Sequence, residues 1–497
     1  MAKVSEVPII EDLDPLPSNW EWVQMNDISA PEKNAIVDGP FGSNLKVSDY
    51  VEDGPVRVLT TKNLYGDYEK VRWITWEKFE ELKRSEVKPN DILMAKIGSC
   101  GKTGVYPPNM PPAIIPANLM KITVHPEVER KYVYYYYDSL QFQKHLRKIT
   151  KATAMPAFGV TNFKRLPFPL APPEQQKRIV AKIEELFSHV DAGIAALNKS
   201  KQLLKQYRQS VLKAAVTGEL TKQWREDNKD KLEPASQLLE RILQERRQKW
   251  EAQQLEQFKA KGKVPKDDKW KGKYKEPASM KEWSFLCELP DSWLWASVAE
   301  IGDTNDQPVL TGPFGSNLGK KDFIESGVPV LTIGCLKEAG VELKKAMYVS
   351  EEKADELERY RLKDGDMLFS RMAAVGRAGH VNKDIEGCLF NYHIMRLRLH
   401  SSAISQEYFV HYVRGSTQVY DYVKEVNHGA TRDGINTQQL LEMPVALPCL
   451  VEQYEICSVV KEKLDSIRRL ELEVNNQLVK AEKNKQSILA SAFSGRI

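Results

Sequence analysis

The stretch Gly39-Pro40-Phe41-Gly42-Ser43-Asn44-Leu45 decides the architecture of this chain, because it occurs twice. It returns unchanged as Gly312-Pro313-Phe314-Gly315-Ser316-Asn317-Leu318, which is 273 residues later. Seven identical residues in a row are far beyond chance, and internal repetition of this kind determines the fold before any local prediction is made. The sequence therefore predicts two halves of similar structure.

Other segments recur in the same order. Leu16–Trp22 returns as Leu289–Trp295 at the same offset of 273, Asp91–Lys96 as Asp366–Arg371 at 275, and Gln209–Leu212 as Gln486–Leu489 at 277. The slow drift of the offset indicates a few short insertions in two otherwise collinear halves.

Each half begins with a mixed domain and continues with a long helix. Short β-rich runs such as Val56–Thr61 and Leu119–Val124 alternate with Gly and Pro turns and helical pieces. Pro167–Pro173 then interrupts regular structure. From Glu174 to about Val216 there is no proline, and apolar residues are spaced by four and three, which predicts a helix of about 40 residues. The predicted apolar seam consists of Ile179, Ile183, Leu186, Val190, Leu197, Leu204, Tyr207 and Val211 in the first half, and of Ile456, Val460, Ile467, Leu470, Val474 and Ile488 in the second.

A helix with such a seam must bury it, and two arrangements are possible. Each helix could pack on its own domain, or the two helices could pair, which their matching seams favour. A two-fold relation between the halves makes the pair antiparallel, so that the helices form a rigid spacer between the domains. The expected fold class is α+β (mixed α/β), with two similar globular domains, two long helices forming an antiparallel coiled coil, and a pseudo-two-fold internal repeat.

We expect five parts along the chain. They are a first globular domain over 1–173, a first long helix over 174–218, a basic linker with a helical segment over 219–285, a second globular domain over 286–451, and a second long helix over 452–497.

The linker has no counterpart elsewhere in the chain. Ala235–Phe258 has a helical pattern, and Lys259–Lys275 contains eight Lys against only Asp267 and Asp268, with Trp270 and Tyr274 between them. Charge runs are usually solvated, so a solvated linker is one interpretation. The other is a cationic strap that lies along a phosphate backbone.

The composition limits the class of protein. Hydrophobic residues make up 42% and charged residues 28%, as in globular proteins, and no apolar run is long enough to predict a membrane span. The N-terminus shows no export signal, and the six Cys are scattered without metal-ligand spacing, so we expect a reduced, cytoplasmic protein. The net charge of +4 permits a nucleic-acid partner without arguing for one.

No catalytic motif is recognisable. Gly98–Thr103 resembles a phosphate-binding loop, but the first Gly of that pattern is replaced by Lys96. We find no Asn/Asp-Pro-Pro-aromatic string of amino-methyltransferases, no Gly-x-Gly-x-x-Gly after a strand, and no His cluster with metal-ligand spacing. This predicts a binding or scaffold protein with no metal site.

The repeated motifs resemble those of a known family. Leu16–Trp22, Gly39–Ser43, Leu166–Val180 and Leu212–Thr221, each with a second copy, are similar to the motifs of specificity (S) subunits of type I DNA restriction–modification systems. The second copies are looser, since Leu447–Gln453 lacks one Pro of the turn. The resemblance covers almost the whole chain.

The resemblance implies a non-catalytic reader of double-stranded DNA. Two target-recognition domains would each read one half of a bipartite target, which would be asymmetric because the domains differ. The helices would act as a spacer and dock two modification (methyltransferase) subunits, and restriction subunits would join that complex. S-adenosylmethionine, ATP and Mg would belong to those partners, and this chain would bind no cofactor. We expect docking on the outer helix faces, where Lys182, Glu185 and Lys201 are examples of free surface, and on the adjoining Pro-rich turns.

Candidate DNA contacts are loops that occupy matching places in both halves and carry the side chains that read bases. One pair of loops supplies Lys96, Ser99 and Lys102, and Arg371 and Arg377. A second pair supplies Thr60, Thr61, Lys62 and Asn63, and Thr332. A third, looser pair supplies Lys148, Lys151 and Thr153, and His428, Thr431 and Arg432. Solvated turns are the alternative for all of them. Gly39–Ser43 and Gly312–Ser316 are identical where two targets should differ, so we expect a structural turn there, with phosphate contact as the second choice.

Two other classes of protein remain open. One is a self-contained methyltransferase or nuclease whose motifs have diverged beyond recognition. The other is a coiled-coil scaffold that does not read DNA sequence. Activity on DNA with a cofactor would favour the first, and binding that ignores DNA sequence would favour the second.

Overall fold

The structure is a computed structural model, and the part of the chain that it describes is 13–40, 44–68, 72–151, 154–265, 267–303, 307–315, 317–337, 340–371, 376–427 and 434–497. The chain forms two compact units. The first unit contains residues 1–200 and 473–497, and the second contains 201–472. The division cuts both long helices, so each unit holds one globular domain and a part of each long helix.

The first unit is built from short strands and a few helices. Its strands are β1 (Glu21–Gln24), β2 (Ile36–Asp38), β3 (Val56–Val58), β4 (Arg72–Ile74), β5 (Glu86–Val87), β6 (Ile92–Ala95), β7 (Thr103–Val105), β8 (Ala113–Ile114), β9 (Leu119–Ile122) and β10 (Pro167–Leu170). Its helices are α1 (Trp76–Glu81), α2 (Arg130–Asp138), α3 (Leu140–Ile149), α4 (Val160–Lys164) and the first part of α5 (Pro173–Val216).

A central antiparallel sheet organises this unit. Its strand order is β2-β9-β6-β7, and a second sheet with the order β4-β3-β8-β5 packs on one of its faces. All four residues of β6 are buried, because successive side chains point to opposite faces and both faces are covered. Ile92 and Met94 face the helices, whereas Leu93 and Ala95 face the second sheet. The result is a three-layer domain.

The second unit repeats this plan. Its strands are β11 (Leu294–Ser297), β12 (Val309–Thr311), β13 (Val328–Leu331), β14 (Leu336–Lys337), β15 (Gly340–Val341), β16 (Met347–Val349), β17 (Met367–Ser370), β18 (Ala378–His380), β19 (Leu389–Phe390), β20 (Ile394–Leu397) and β21 (Pro444–Leu447). Its helices are α6 (Lys222–Asp227), α7 (Ala235–Ala260), α8 (Glu351–Glu356), α9 (Gln406–Gly415), α10 (Thr417–Val426), α11 (Thr437–Leu441) and the first part of α12 (Leu450–Phe493).

The central sheet of the second unit corresponds strand by strand to that of the first, and its second sheet has three of the four corresponding strands, without a counterpart of β5. The central sheet has the order β12-β20-β17-β18, and the sheet β16-β13-β19 packs on it. Met367 and Phe369 of β17 face the helices, and Leu368 faces the second sheet. The duplication seen in the sequence is therefore a duplication of structure.

The two long helices run antiparallel within each unit. In the first unit the Nζ of Lys485 lies 2.6 Å from the carboxylate of Asp191, and nearer the start of α5 Ile183 shares a core with Phe493. In the second unit an Nη2 of Arg208 lies 2.9 Å from the carboxylate of Glu471. Each helix has 44 residues. The expected fold class, with an antiparallel pair of long helices and an internal repeat, is confirmed.

The predicted apolar seam is correct at some positions and wrong at others. Ile179, Ile183, Val211, Ile456, Val460 and Ile467 are buried. The seam prediction is wrong for Tyr207 and Leu470, which are 49% and 55% exposed. A helix that packs on only one other helix buries a narrow stripe, and spacing alone does not separate that stripe from its flanks.

Both long helices end in a left-handed glycine that contacts a proline. Gly218 has φ +78° and Gly495 has φ +72°, a conformation that glycine adopts without steric cost. A Cβ on Gly218 would lie 2.5 Å from Pro290 in the second unit, and one on Gly495 would lie 2.2 Å from Pro17 in the first. The glycine after each helix thus allows its end to meet the Leu-Pro segment of a domain.

Among the described residues, no helix combines the length and the apolar character that crossing a bilayer requires.

Candidate nucleic-acid interface

The first matched pair of loops forms the same turn in both units. In the first unit the amide of Ala95 donates to the carbonyl of Lys102 over 2.8 Å, and the amide of Gly101 donates back to Ala95 over 2.9 Å. Gly98 and Gly101 have φ of +81° and +84°. A Cβ on Gly101 would lie 2.6 Å from the side chain of Leu146. Glycine is therefore required for the tight β6–β7 connection, and this turn presents Ser99 and Lys102 to solvent.

The second unit reproduces this connection between β17 and β18. The amide of Ser370 donates to the carbonyl of Arg377 over 2.9 Å, and the amide of Gly376, at φ +90°, donates to Ser370 over 3.3 Å. Arg377 is exposed, like Lys102. The two cations thus occupy equivalent positions, as the sequence repeat predicted.

Lys96 and Arg371 are equivalent in sequence but differ in their surroundings. Lys96 is only 5% exposed, and its Nζ lies 2.5 Å from the carboxylate of Asp38 on β2. The residue that corresponds to Asp38 in the second unit is Thr311 at the end of β12, and among the described residues no carboxylate pairs with Arg371. The ion pair favours a structural role for Lys96, whereas the Nε of Arg371 donates to the carbonyl of Ile435 over 3.2 Å.

The guanidinium of Arg371 belongs to an aromatic cluster. It lies 5.9 Å from the ring centre of Phe314, which stacks on Tyr392 at 6.0 Å, and Tyr392 in turn contacts His393 at 3.9 Å. Phe314 is 56% exposed. Burial lowers the pKa of both Arg371 and His393. An exposed aromatic ring beside a guanidinium is a surface suited to stacking and to hydrogen bonding with nucleotides.

Sequence reasoning missed Phe314 and Tyr392. The available signal was the Phe of the Gly-Pro-Phe-Gly turn, because a turn with only a structural role does not require a large apolar residue. The turn itself has the expected structural basis, because a Cβ on Gly312 would lie 2.3 Å from the carbonyl of Asn391. A Cβ on Gly39 would lie equally close to the carbonyl of Ile115. Phe41–Ser43 and Ser316 lie outside the described residues.

The second matched pair of loops is made of 3₁₀ turns that follow β3 and β13. Thr60 precedes the turn Thr61–Tyr65, and its amide donates to the side-chain oxygen of Asn63 over 2.6 Å. Asn63 is buried and stabilises this turn, Thr60 and Thr61 are half-buried, and Lys62 is exposed. Lys62 is therefore the accessible cation of this turn.

Thr332 occupies the equivalent place before the turn Ile333–Cys335. Its hydroxyl donates to the carbonyl of Lys345 over 3.0 Å, and the side chain is half-buried. The neighbouring β14–β15 hairpin is joined to β18 by Arg414, whose guanidinium donates to the carbonyls of Lys337 and Ala378 over 2.9 Å each. The segment that follows Thr332 therefore lies beside the turn that carries Arg377.

The third loop of the first unit lies against the first loop. The amide of Gly98 donates to the carbonyl of Pro156 over 2.8 Å, and the amide of Lys151 donates to the carbonyl of Ala157 over 2.9 Å. Lys148 is in the last turn of α3, and both Lys148 and Lys151 are exposed. The four remaining candidates of this pair, Thr153, His428, Thr431 and Arg432, lie outside the described residues.

The candidate residues of the first unit that the structure describes are brought to one edge. A Cβ on Gly104 of β7 would lie 2.6 Å from the carbonyl of Leu64, so the 3₁₀ turn at 61–65 packs beside the β6–β7 connection. The exposed polar side chains at this edge are Lys62, Ser99, Lys102, Lys148 and Lys151. Such a cationic, hydrogen-bonding edge suits contact with phosphates and base edges.

No metal centre is evident in the part of the chain that the structure describes: its His, Cys, Asp and Glu side chains form no group of three or more that could hold an ion.

Comparison with known families gives a match in both halves. The model of the family described as "Type I restriction modification DNA specificity domain" matches residues 17–205 and 315–480.

Curated relatives are similar over most of the chain. The chain is 24% identical to the type I restriction enzyme EcoBI specificity subunit of Escherichia coli over 417 residues, which are 83% of this chain and 74% of that protein. It is 21% identical to the StySPI specificity subunit of Salmonella potsdam, over 97% of this chain and 90% of that protein.

A solved structure shares the fold. A chain from a study of complex assembly and conformational transition of the type I R-M system superposes with a TM-score of 0.61 at 16% identity, covering 98% of this chain and 100% of that chain.

Proposed function

Because this chain belongs to the family of type I restriction modification DNA specificity domains, we propose that it is the subunit that reads the DNA target in a type I restriction–modification complex and catalyses no reaction itself. Each globular domain reads one half of a bipartite target. Since the edges of the two domains carry different side chains, the two half-sites differ and the target is asymmetric.

One observation carries this proposal. The two units repeat the same connection between equivalent strands, yet the cations at its start differ in their partners and surroundings. The pair Lys96–Asp38 in the first unit and the cluster of Arg371 with Phe314 in the second show that difference most clearly. A conserved framework with divergent exposed polar loops is what reading two different sequences requires.

In this proposal the long helices have two tasks. As a spacer, α5 and α12 determine how many unread base pairs lie between the half-sites, since 44 residues of helix extend over about 66 Å. They also dock two modification subunits, one for each equivalent surface of the repeat, and restriction subunits join the complex. S-adenosylmethionine, ATP and Mg are bound by those partners.

Exposed apolar residues on α5 support the docking role. Leu203 and Tyr207 are four positions apart and are 53% and 49% exposed. This spacing places both side chains on one helix face. An exposed apolar pair of this kind is suited to contact with another protein.

The experiment that tests the function is modified-base sequencing of DNA treated with S-adenosylmethionine and this chain, with and without the co-expressed modification subunit. We expect adenine methylation at one interrupted, asymmetric motif, and only when the partner is present. Methylation by the chain alone would show a catalytic site in it. An intact complex that methylates no defined motif would favour the scaffold.

A further inference from the structure

We propose that the insertion between the repeats is a DNA phosphate-binding arm, formed by the second half of α7 and the returning segment 261–275. This inference rests on the proposed function, because it concerns the same DNA. It adds a contact that follows the phosphate backbone outside the half-site that the second domain reads.

The insertion is a folded hairpin. The ring of Trp250 on α7 stacks on Trp270 at 6.0 Å and contacts Tyr274 at 5.3 Å, and Phe258 packs edge-on against Trp270 at 6.1 Å. Trp270 is 9% exposed. An aromatic cluster of this size fixes the returning segment on the helix. The interpretation of 259–275 as a merely solvated linker is therefore disfavoured.

The hairpin is anchored to the second unit. Leu238 and Ile242, in the first half of α7, are fully buried in the main core of that unit. One turn further, an Nη1 of Arg246 donates to the carbonyl of Ala299 over 2.5 Å and to that of Gly302 over 3.4 Å. Charges on the hairpin are therefore held in a defined place relative to the second domain.

The net positive charge of the chain is concentrated in this hairpin. Residues 247–275 contain ten Lys and Arg against four Asp and Glu, a net charge of +6. The whole chain carries +4, so the remaining residues sum to −2. A concentrated basic surface on a protein that is otherwise slightly acidic is the electrostatic footprint of a nucleic-acid contact.

Many of these cations are available to a ligand. Lys269 and Lys271 pair with acids of the hairpin. The other lysines that the structure describes in 259–275 are exposed and form no ion pair, namely Lys259, Lys261, Lys263, Lys273 and Lys275. Lysine carries a point charge on a flexible stem, so such a group suits phosphates spaced along a backbone better than base edges.

The anchor of the hairpin lies away from the reading edge of the same domain. The backbone amide of Arg371 donates to the carbonyl of His393, just before β20 (Ile394–Leu397). Gly302, whose carbonyl accepts from Arg246, forms an antiparallel β-bridge with Leu399 just after β20. The two features are thus at opposite ends of one strand. We infer that the arm strengthens binding without adding sequence information.

The test uses the complete complex of this chain with its modification subunits. One variant replaces Lys259, Lys261 and Lys263 with Gln. The matched control replaces Lys222, Lys229 and Lys231 with Gln, which are exposed lysines of the same insertion outside the hairpin. Both variants lose three positive charges, so a difference between them reports position and not net charge. Circular dichroism verifies that helix content is retained.

The measurement is the dissociation constant for duplexes with and without the target, at several salt concentrations. We expect the hairpin variant to bind both duplexes about tenfold more weakly and to lower the slope of log K against log salt by up to about 3, because each phosphate contact contributes roughly 0.9. The methylated motif stays the same.

Other outcomes overturn the inference. Equal effects of the two variants mean that the hairpin has no special contact with DNA. Loss of the modification subunit from the hairpin variant, with DNA binding otherwise unchanged, means that the arm contacts an acidic protein surface. Failure of the proposed function is seen separately, in the parent complex, as equal affinity for target and unrelated duplexes.

Discussion

The indole nitrogen of Trp293 donates a hydrogen bond to the buried carboxylate of Glu452 over 2.8 Å. The equivalent bond in the first unit joins Trp20 to the neutral amide oxygen of Gln175 over 2.7 Å. Both bonds connect the segment before the first strand of a domain to the start of a long helix. The repeat therefore conserves the contact and changes the charge of the acceptor.

The charge of Glu452 is compensated by the insertion. Nε of Arg225 on α6 donates to the Glu452 carboxylate over 2.9 Å, and the hydroxyl of Thr221 donates to it over 2.8 Å. Replacing Glu452 with Gln leaves the guanidinium poorly compensated in a largely buried place, so we expect the free energy of unfolding of the second unit to fall by about 3 kcal/mol. Urea denaturation of the chain measures this loss.

A double-mutant cycle separates the ion pair from packing. The combination of Glu452→Gln with Arg225→Met should recover most of the lost stability, and Glu462→Gln, at an exposed position of the same helix, should change it by less than about 0.5 kcal/mol. Equal losses in the single and double variants would show that Arg225 is not the compensating charge.

Exchange of a whole domain tests the assignment of one half-site to one domain. Residues 15–172 are replaced with the corresponding domain of a different specificity subunit. We expect modified-base sequencing to show a new first or second half of the target and an unchanged other half and spacing. A change in both halves, or in neither, would refute the assignment.

Single cations on the equivalent turns provide a finer test. Lys102→Ala should relax the sequence requirement in one half-site only, and Arg377→Ala in the other, because each is exposed at the same position of its domain. Loss of one base contact costs about 1–3 kcal/mol of discrimination. Methylation rates on targets with single substitutions measure it.

The control for these two variants is Lys33→Ala. Lys33 is exposed before β2, at the other end of the central sheet. If Lys33→Ala relaxes the target as much as Lys102→Ala does, the turn is not the reading element.

The apolar face at Leu203 and Tyr207 is expected to bind the modification subunit. A charge in that face is costly to bury, so Leu203→Glu should weaken assembly by tenfold or more. Analytical ultracentrifugation or isothermal calorimetry with the purified partner measures this. Gln202→Glu, at the neighbouring exposed position, adds the same charge away from that face. An equal effect of both variants would place the docking surface elsewhere.

A buried histidine predicts pH-dependent stability of the first unit. Burial lowers the pKa of His145 on α3 from its usual 6.5 to about 4, with Lys148 contributing, and the side chain is 4% exposed. Between those pH values the unfolded chain binds a proton that the folded chain does not, so stability falls as the pH falls through 6.5.

The loss for His145 should be about 1 kcal/mol between pH 7.5 and pH 5.5. Urea denaturation at the two pH values measures it in the parent and in His145→Leu, and the difference between the two proteins isolates this side chain. An identical pH dependence in both would show that His145 is not the responsible group.

The sequence determined the architecture because the architecture depends on order and periodicity. The repeat of Gly39–Leu45 established two similar halves. A proline-containing turn followed by apolar residues spaced by four and three predicted the long helices, which begin at Pro173 and Leu450. The helical pattern from Ala235 predicted α7. These signals are local patterns or repeats within the chain, so they can be read from a single sequence.

The tertiary structure decided which of the candidate residues are available to DNA. Lys96 and Asn63 have side chains of the kind that read bases. Asp38, which is 58 positions before Lys96 in the chain, neutralises the charge of Lys96. Asn63 is buried in the 3₁₀ turn that its own side chain stabilises. Phe314 gained significance only beside Arg371 and Tyr392. Likewise, the lysines of 259–275 are fixed by Trp250 and Trp270, which are 20 positions apart. Composition and spacing indicated which side chains are candidates for contact with DNA. Burial and compensation of their charges depend on contacts between distant parts of the chain, and only the folded structure brings those parts together.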